Sequence, residues 1–423
     1  MSASTVLDKP QAAIRHVIRL MVGAAVTDLG TGLFMLLGPW LLYDLTHSAF
    51  WVGTAAVVQG LMVWAGPALG WVVDRMDRRR ALALALVAQA LGSGGLAVLV
   101  DAHRATVLLT LLAVALIYAG TRLQLLAGST VRFLLTPVDA RLSLNSLWAF
   151  VTLLAQYGSP GLAGFLLQWR GEAFGLWVQT FAVLPMLAVA LFLPRLAAPP
   201  REESGSLREA AATLISERGL WFFTWMMGLW NWSFGGILAI LVYFYRHDLH
   251  FSAGQVGLAG LFMGLIPMGF ALIGARLNRK FGPGRILVGG VVLSGLGMLV
   301  LPGMGAWYSV GTVLGMLDGP IGPILAAMST IMQARIPSHL FGRVNAIRNV
   351  VSMGTAPTAG ILSGFLAGRI GAPAVIEGLG GVTVLGAVIL AWRTPVMHVT
   401  LSGTVAESGA APARAAAAVR EGE

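Results

Sequence analysis

The stretch GWVVDRMDRRR, Gly70 to Arg80, changes character at its midpoint. The residues before it, 52–73, carry no charge, whereas 74–80 holds four arginines and two aspartates. A helix needs about 20 apolar residues to cross the roughly 30 Å of bilayer hydrocarbon. An arginine at the centre of such a helix costs ~2.5–3.5 kcal/mol. The abrupt switch therefore reads as the end of a membrane crossing, and the arginines mark its cytoplasmic side. The composition extends this reading to the whole chain. Of 423 residues, 57% are hydrophobic and 11% charged, against about 45–50% and about 25% in soluble domains. That surplus excludes a soluble enzyme, a disordered chain and a secreted scaffold. With 54 glycines, helices can approach closely. With no cysteine there is no disulfide and no thiolate metal site.

Outward from this stretch, twelve apolar runs are expected to span: 17–42, 52–73, 81–100, 105–131, 142–168, 174–194, 219–245, 254–275, 285–302, 306–333, 344–368 and 372–392. The fold class is an all-α polytopic membrane protein. The polar segment 1–16 precedes a first run that is too long for a signal-peptide core, so that run is expected to be retained. Of the 28 Lys and Arg, 23 fall in one set of alternating loops, Arg348 included; four fall in the other set, and Arg122 lies inside a span. The positive-inside rule puts the larger set, and both termini, in the cytoplasm. The net charge of +10 is then a topology signal rather than a mark of nucleic-acid binding. The expected location is a bacterial plasma (inner) membrane.

The chain repeats itself. Asp44-Leu45, Ser48 and Val52-Gly53 recur as Asp248-Leu249, Ser252 and Val256-Gly257. Gly70 and Asp74-Arg75 recur as Gly274 and Asn278-Arg279, at the same offset of 204. Pro137, Asn145 and Gly164-Phe165-Leu166 recur as Pro337, Asn345 and Gly364-Phe365-Leu366, at an offset of 200. The expected organisation is a polar segment 1–16, a six-helix bundle 17–194, a linker 195–218 ending in a surface helix, a second six-helix bundle 219–392 and a low-complexity tail 393–423. Two parallel six-span repeats describe a machine that rocks one half against the other around a midplane site.

Residues 70–80 resemble the loop 2–3 motif of the major facilitator superfamily, Gly-x-x-x-Asp-Arg-x-Gly-Arg-Arg. GARLNRKFGPGR at 274–285 is similar to a degenerate second copy. Asp77 stands where the family has Gly, and Asn278 replaces the acid. The resemblance implies a gating role for Gly70, Asp74, Arg75, Arg78 and Arg79. Gly70 would permit close packing, and Asp74 would face the positive end of span 11 and pair with Arg75 or Arg78 as a cytoplasmic latch. Anchoring to anionic membrane lipid is the plainer role of the arginines. TDLGTG (27–32) and the patterns after spans 4 and 10 are similar to the macrolide-efflux and siderophore-export branch. YGSPGLAG (157–164) loosely resembles the Gly-Pro-x-x-Gly-Gly element of antiporters, with Ser159 and Ala163 replacing glycines; helix packing explains it equally.

Charges within spans are rare and usually functional or paired. Asp28 in span 1, Arg122 in span 4 and Asp318 in span 10 are the candidates for proton coupling. Asp28 and Arg122 lie at similar depth, and a pair between them is expected. The superfamily resemblance puts both beside the central cavity; Arg122-x-Gln124 resembles the basic element of its efflux members. In span 7, Trp225 and Trp232 share one face with Gly228, Gly235 and Gly236, and Trp230 and Asn231 flank it. With Gln124 these are the candidate substrate-binding residues, by stacking, cation–π contact and hydrogen bonding. All seven histidines lie in loops or at span ends, so neither a metal centre nor catalytic residues are expected, and no phosphate-binding Gly-Lys loop is present. The chain is expected to need no cofactor. The function expected is export of a small amphipathic compound by a monomer driven by the proton gradient. A uniporter or importer of a small solute, or a transporter-like receptor, is the alternative.

Overall fold

The computed structural model describes residues 10–136, 141–193 and 206–399. Its helices are α1 Pro10–Thr46, α2 Ala49–Trp64, α3 Gly66–Arg75, α4 Arg78–Asp101, α5 Val107–Leu135, α6 Arg141–Phe192, α7 Leu207–Ser216, α8 Arg218–Tyr243, α9 Ala253–Phe281, α10 Pro283–Val300, α11 Trp307–Asp318, α12 Ile321–Arg335, α13 Ser338–Met353, α14 Ala356–Ile370 and α15 Ala372–Arg393. A π-helical turn, Phe244–Asp248, continues α8.

Ten described segments are long and apolar enough to cross a membrane. The twelve expected crossings are consistent with this number for two physical reasons. First, α6 is interrupted at Gly171, whose φ of 79° and ψ of −172° are open to glycine. Its two limbs lie side by side against α1: Gly32 faces Ala155 and Ser159 on one limb, and Gly30 faces Gln179 and Ala182 on the other. Second, span 2 is broken near Pro67 into α2 and α3, each too short to cross alone. The expected limits were also too short at the start, since α1 already begins at Pro10. The linker's described part is a surface helix, α7, held by a capping box between Ser206 and Glu209. Residues 195–205 and 400–423 lie outside the described residues.

The repeat is visible as paired contacts between the halves. The α6–α9 contact brings Gly164 to Gly257, and the α2–α14 contact brings Gly364 to Gly53. These are the same two glycines in each repeat. A Cβ on Gly164 would stand 2.6 Å from the Gly257 Cα, and one on Gly53 would stand 3.1 Å from the Gly364 Cα. Backbones this close require glycine. Gly171 and Gly371, likewise repeat-related, both carry a positive φ in the turn that follows.

All of these contacts lie toward the end opposite the arginines of 75–80, the far end. Arg246 of the π turn donates to Asp44 of α1 there at 2.5 Å. A Cβ on Gly66, Gly70 or Gly269 would meet nothing within 4 Å.

A candidate substrate cavity between the halves

Between the two halves lies a cavity of about 640 Å³. Apolar and aromatic side chains form most of its wall, among them Phe34, Met35 and Tyr118 from the first half and Met227, Trp230, Phe234, Tyr245 and Met263 from the second. Polar groups are few: Gln59, Gln156, Tyr157, Asn231, Asp318, Arg348, Asn349 and Ser352. Few polar groups in an apolar wall are the composition of a small-molecule site. Residues from the basic half of the helices, Ala271, Leu325 and Met353, line it as well. It therefore extends toward the basic end.

Asp318, the last residue of α11, is 8% exposed and lines the cavity. Its Oδ2 accepts from the Tyr157 hydroxyl on α6 at 3.1 Å, a hydrogen bond that joins the two halves. Arg348 on α13 is equally buried and also lines the cavity. Its guanidinium donates to Asn345 at 3.0 Å and to Asn349. Counting Arg348 among the loop charges was thus incorrect: one turn of α13 carries it into the interior.

The aromatic face of span 7 also needs correction. Trp225 is 46% exposed and packs edge-on against Trp221, away from the cavity lining. Trp232 donates from its indole to Thr358 on α14 at 3.2 Å. The glycines on this face explain why: Gly228 and Gly235 lie against Ser352 and Ala356, and Thr355 donates to the Gly228 carbonyl at 3.1 Å. Small residues make this the packing face. The cavity face is one step around the helix, at Met227, Trp230, Asn231 and Phe234. Trp230 stacks on Phe234 at 4.8 Å, and its Nε1 donates to Ser294 and to the Leu317 carbonyl. Asn231, expected in the cavity, lines it and donates to the Met227 carbonyl at 2.8 Å.

Asp28 is half-buried and is absent from the cavity lining. The expected Asp28–Arg122 ion pair is not formed among the described residues. Arg132 is the cation that acts on Asp28, and Arg122 faces Tyr118 instead. The two arginines are ten residues apart on α5, about 80° around a helix of 3.6 residues per turn, so they address different neighbours. Arg132 also rests on the Trp148 ring at 4.1 Å. Gln124 is buried outside the cavity and accepts from Gln89 at 2.7 Å, while Gln89 accepts from Thr31. That chain ties α1, α4 and α5 together.

Around the loop motif, the side chain of Asp74 lies outside the described residues. Gly70 makes no close approach in this conformation. Arg75 is exposed. Arg78 is 4% exposed and donates to the Val73 carbonyl, and Arg79 donates to the Leu193 carbonyl at 3.2 Å. Asp77, the departure from the motif, caps α4 by accepting from the Arg79 amide at 2.8 Å. In the second copy, Asn278 donates to the Pro323 carbonyl on α12 at 2.9 Å, and Gly274 packs against the same proline.

The chain is similar to known transporters over most of its length. It is 26% identical over 355 residues to the enterobactin exporter EntS of Citrobacter koseri, covering 80% of this chain and 82% of that one. It is 25% identical over 385 residues to the multidrug efflux pump Tap of Mycolicibacterium fortuitum, covering 84% and 90%. The crystal structure of a D-xylose–proton symporter superposes with a TM-score of 0.68 at 16% identity, over 94% of this chain and all of that one. The family profile of the Major Facilitator Superfamily matches residues 20–352 and 220–420. Paired repeats, a cavity between them and this profile lead to one conclusion: the chain is a multi-pass membrane protein that belongs to the Major Facilitator Superfamily of transporters.

Proposed function

We propose that the protein exports a small amphipathic compound across the bacterial inner membrane in exchange for protons. The basic end is the cytoplasmic one, as the distribution of Lys and Arg supports. In this orientation the cavity faces the cytoplasm and the periplasmic side is shut. The two half-molecules, 17–194 and 219–392, rock about the far-end glycine contacts to reverse this access. The exporters EntS and Tap among the similar proteins favour the outward direction.

The observation that carries the proposal is the Tyr157–Asp318 hydrogen bond across the cavity. Asp318 is the acid that both lines the cavity and touches the opposite half. When ionised, it accepts from Tyr157 and attracts a cationic or hydrogen-bond-donating substrate. When protonated, it loses that attraction. Proton and substrate thus compete for one carboxyl, and competition of this kind couples their opposite movements. Trp230, Phe234 and Tyr118 offer flat apolar faces, which suits an aromatic or lipophilic substrate. Asp28, on which the charge of Arg132 acts, is the second acid at membrane depth and serves the same cycle from outside the cavity.

A proteoliposome assay tests this reading. Adding ethidium, a lipophilic aromatic cation, to vesicles with an imposed pH gradient is expected to move protons against the dye. A uniporter or a receptor would leave the pH unchanged, and that result would refute exchange.

A further inference from the structure

Arg348 lies within the segment Leu340–Ile370, which is long and apolar enough to cross the membrane, and it is nine-tenths buried against the cavity. Its Nε and Nη2 donate to the Asn345 Oδ1 at 3.3 and 3.0 Å, and Nη2 also donates to the Asn349 Oδ1. Amide oxygens are neutral acceptors, so they aim the guanidinium without cancelling its charge. Nη1 and its N–H groups find no acceptor among the described residues, and that atom is not sealed in protein. No ion pair to Arg348 occurs among the described residues, and α13, SHLFGRVNAIRNVVSM, contains no acid. An arginine buried without a countercharge is costly. The duplication does not demand one here: with Asn345 matching Asn145, residue 348 corresponds to Trp148.

Further donors stand beside it. Asn349 and Ser352 line the cavity on the same helix, Ser352 one turn on from Arg348. Because the Asn349 Oδ1 accepts from Arg348, the amide keeps its N–H groups to donate. A guanidinium flanked by an amide and a hydroxyl is a donor set for a carboxylate, which arginine grips in a planar fork. The other charged residue in the cavity wall is Asp318, on α11 of the same half. Asp318 accepts from Tyr157 and forms no ion pair with Arg348. A wall that keeps an acid and a base apart presents two poles, with the stacked rings of Trp230 and Phe234 as its apolar surface.

We infer that Arg348 is the anion-binding residue of the cavity and that the cargo is a zwitterion, a flat amphipathic compound whose carboxylate takes the free edge of Arg348 while its basic group takes Asp318. The inference deepens the proposed export by naming the charges of the cargo, and it rests on that reading for the cavity being the substrate site. A plain cation meets Asp318 but leaves the buried guanidinium uncompensated. A zwitterion supplies the missing countercharge, so the loaded cavity is electrostatically complete where the empty one is not. The neutral side chains of Asn345 and Asn349 are what keep this position open, since an acid in either place would close it with an internal ion pair.

Tetramethylrhodamine and its methyl ester are a matched pair of probes. Both carry a flat cationic ring system, but only the free acid carries a carboxylate, which is ionised at neutral pH. Binding to the purified protein in detergent is measured by fluorescence polarisation of the dye, with no gradient and no transport. Wild type is expected to bind the acid about tenfold more tightly than the ester, the scale of a hydrogen bond between charged groups. Arg348→Gln should weaken binding of the acid by about tenfold and leave the ester within about twofold, and retained ester binding reports that the variant is folded. Arg348→Lys, which keeps the charge but not the fork, should retain part of the preference. Asp318→Asn should weaken both dyes alike. Equal affinity of wild type for acid and ester would overturn the inference, as would an Arg348→Gln variant that keeps the preference or loses both dyes equally. Ethidium has no carboxylate, so a failed ethidium exchange assay alongside an Arg348-dependent preference would reject proton exchange and leave the anion site standing.

Discussion

At the scale of single residues the proposed chemistry rests on Asp318 and Tyr157, and the two were unequally legible. An acid at membrane depth announces itself by its cost, so Asp318 could be singled out from sequence alone. Tyr157 could not, because YGSPGLAG draws attention to its proline and glycines, and a tyrosine in an apolar run signals nothing by itself. Trp230, which flanks the expected face, is not among the candidate substrate residues for a related reason. Aromatic periodicity identifies a face of span 7 but not its neighbour, and only the glycines beside Trp225 and Trp232 betray that this face packs against α14. Arg348 was hidden among loop charges because counting arginines by loop ignores which way a helix turns. Two outcomes follow at this scale. Trp230→Ala removes the stacked wall and two hydrogen bonds; it should raise the KM for a flat dye by roughly tenfold, given ~0.5–1.5 kcal/mol for aromatic pairing alone. Trp225→Ala should leave transport kinetics within twofold of wild type. Comparing initial dye-export rates of the two variants decides between the faces.

Helices and their contacts were more legible than side chains. The duplication, the span limits to within several residues and the linker helix all follow from apolar runs and repeated short matches. The break of α6 at Gly171 fell in the expected loop, although no turn-forming sequence other than the glycine marks it. What the sequence did not disclose is which repeated glycines touch, since the contact pairs span 5 with span 8 and span 2 with span 11 across the halves. The tighter contact gives a test. A methyl at Gly164 would press on the Gly257 Cα and the Ala253 carbonyl, and overpacking costs ~1–3 kcal/mol. Gly164→Ala should therefore open the far end, increasing the labelling rate of a cysteine placed at Phe50 several-fold. Gly364→Ala, with more room, should have a smaller effect. Helix capping gives another test. Asp77→Ala removes the α4 cap and should cost about 1 kcal/mol, read as a Tm lowered by a few degrees in detergent. If Asp77 instead served the motif as its usual glycine does, Asp77→Gly would raise stability and transport together.

For the whole molecule, the far-end contacts belong to one of the two states of the proposed rocking cycle. The expected topology rests on charge placement, which is one-dimensional and survives in the sequence. The conformational state was not, because Gly70 reads as a packing residue whichever state is occupied. The central claim is that one cavity acid, Asp318, exchanges proton for substrate as the halves rock. Its most direct test is ethidium accumulation in proteoliposomes with an acidic lumen, wild type against Asp318→Asn. Wild type should concentrate the dye and alkalinise the lumen, whereas Asp318→Asn should lose at least tenfold of gradient-driven accumulation while still equilibrating dye across the membrane. Accumulation by Asp318→Asn at the wild-type level would contradict the account.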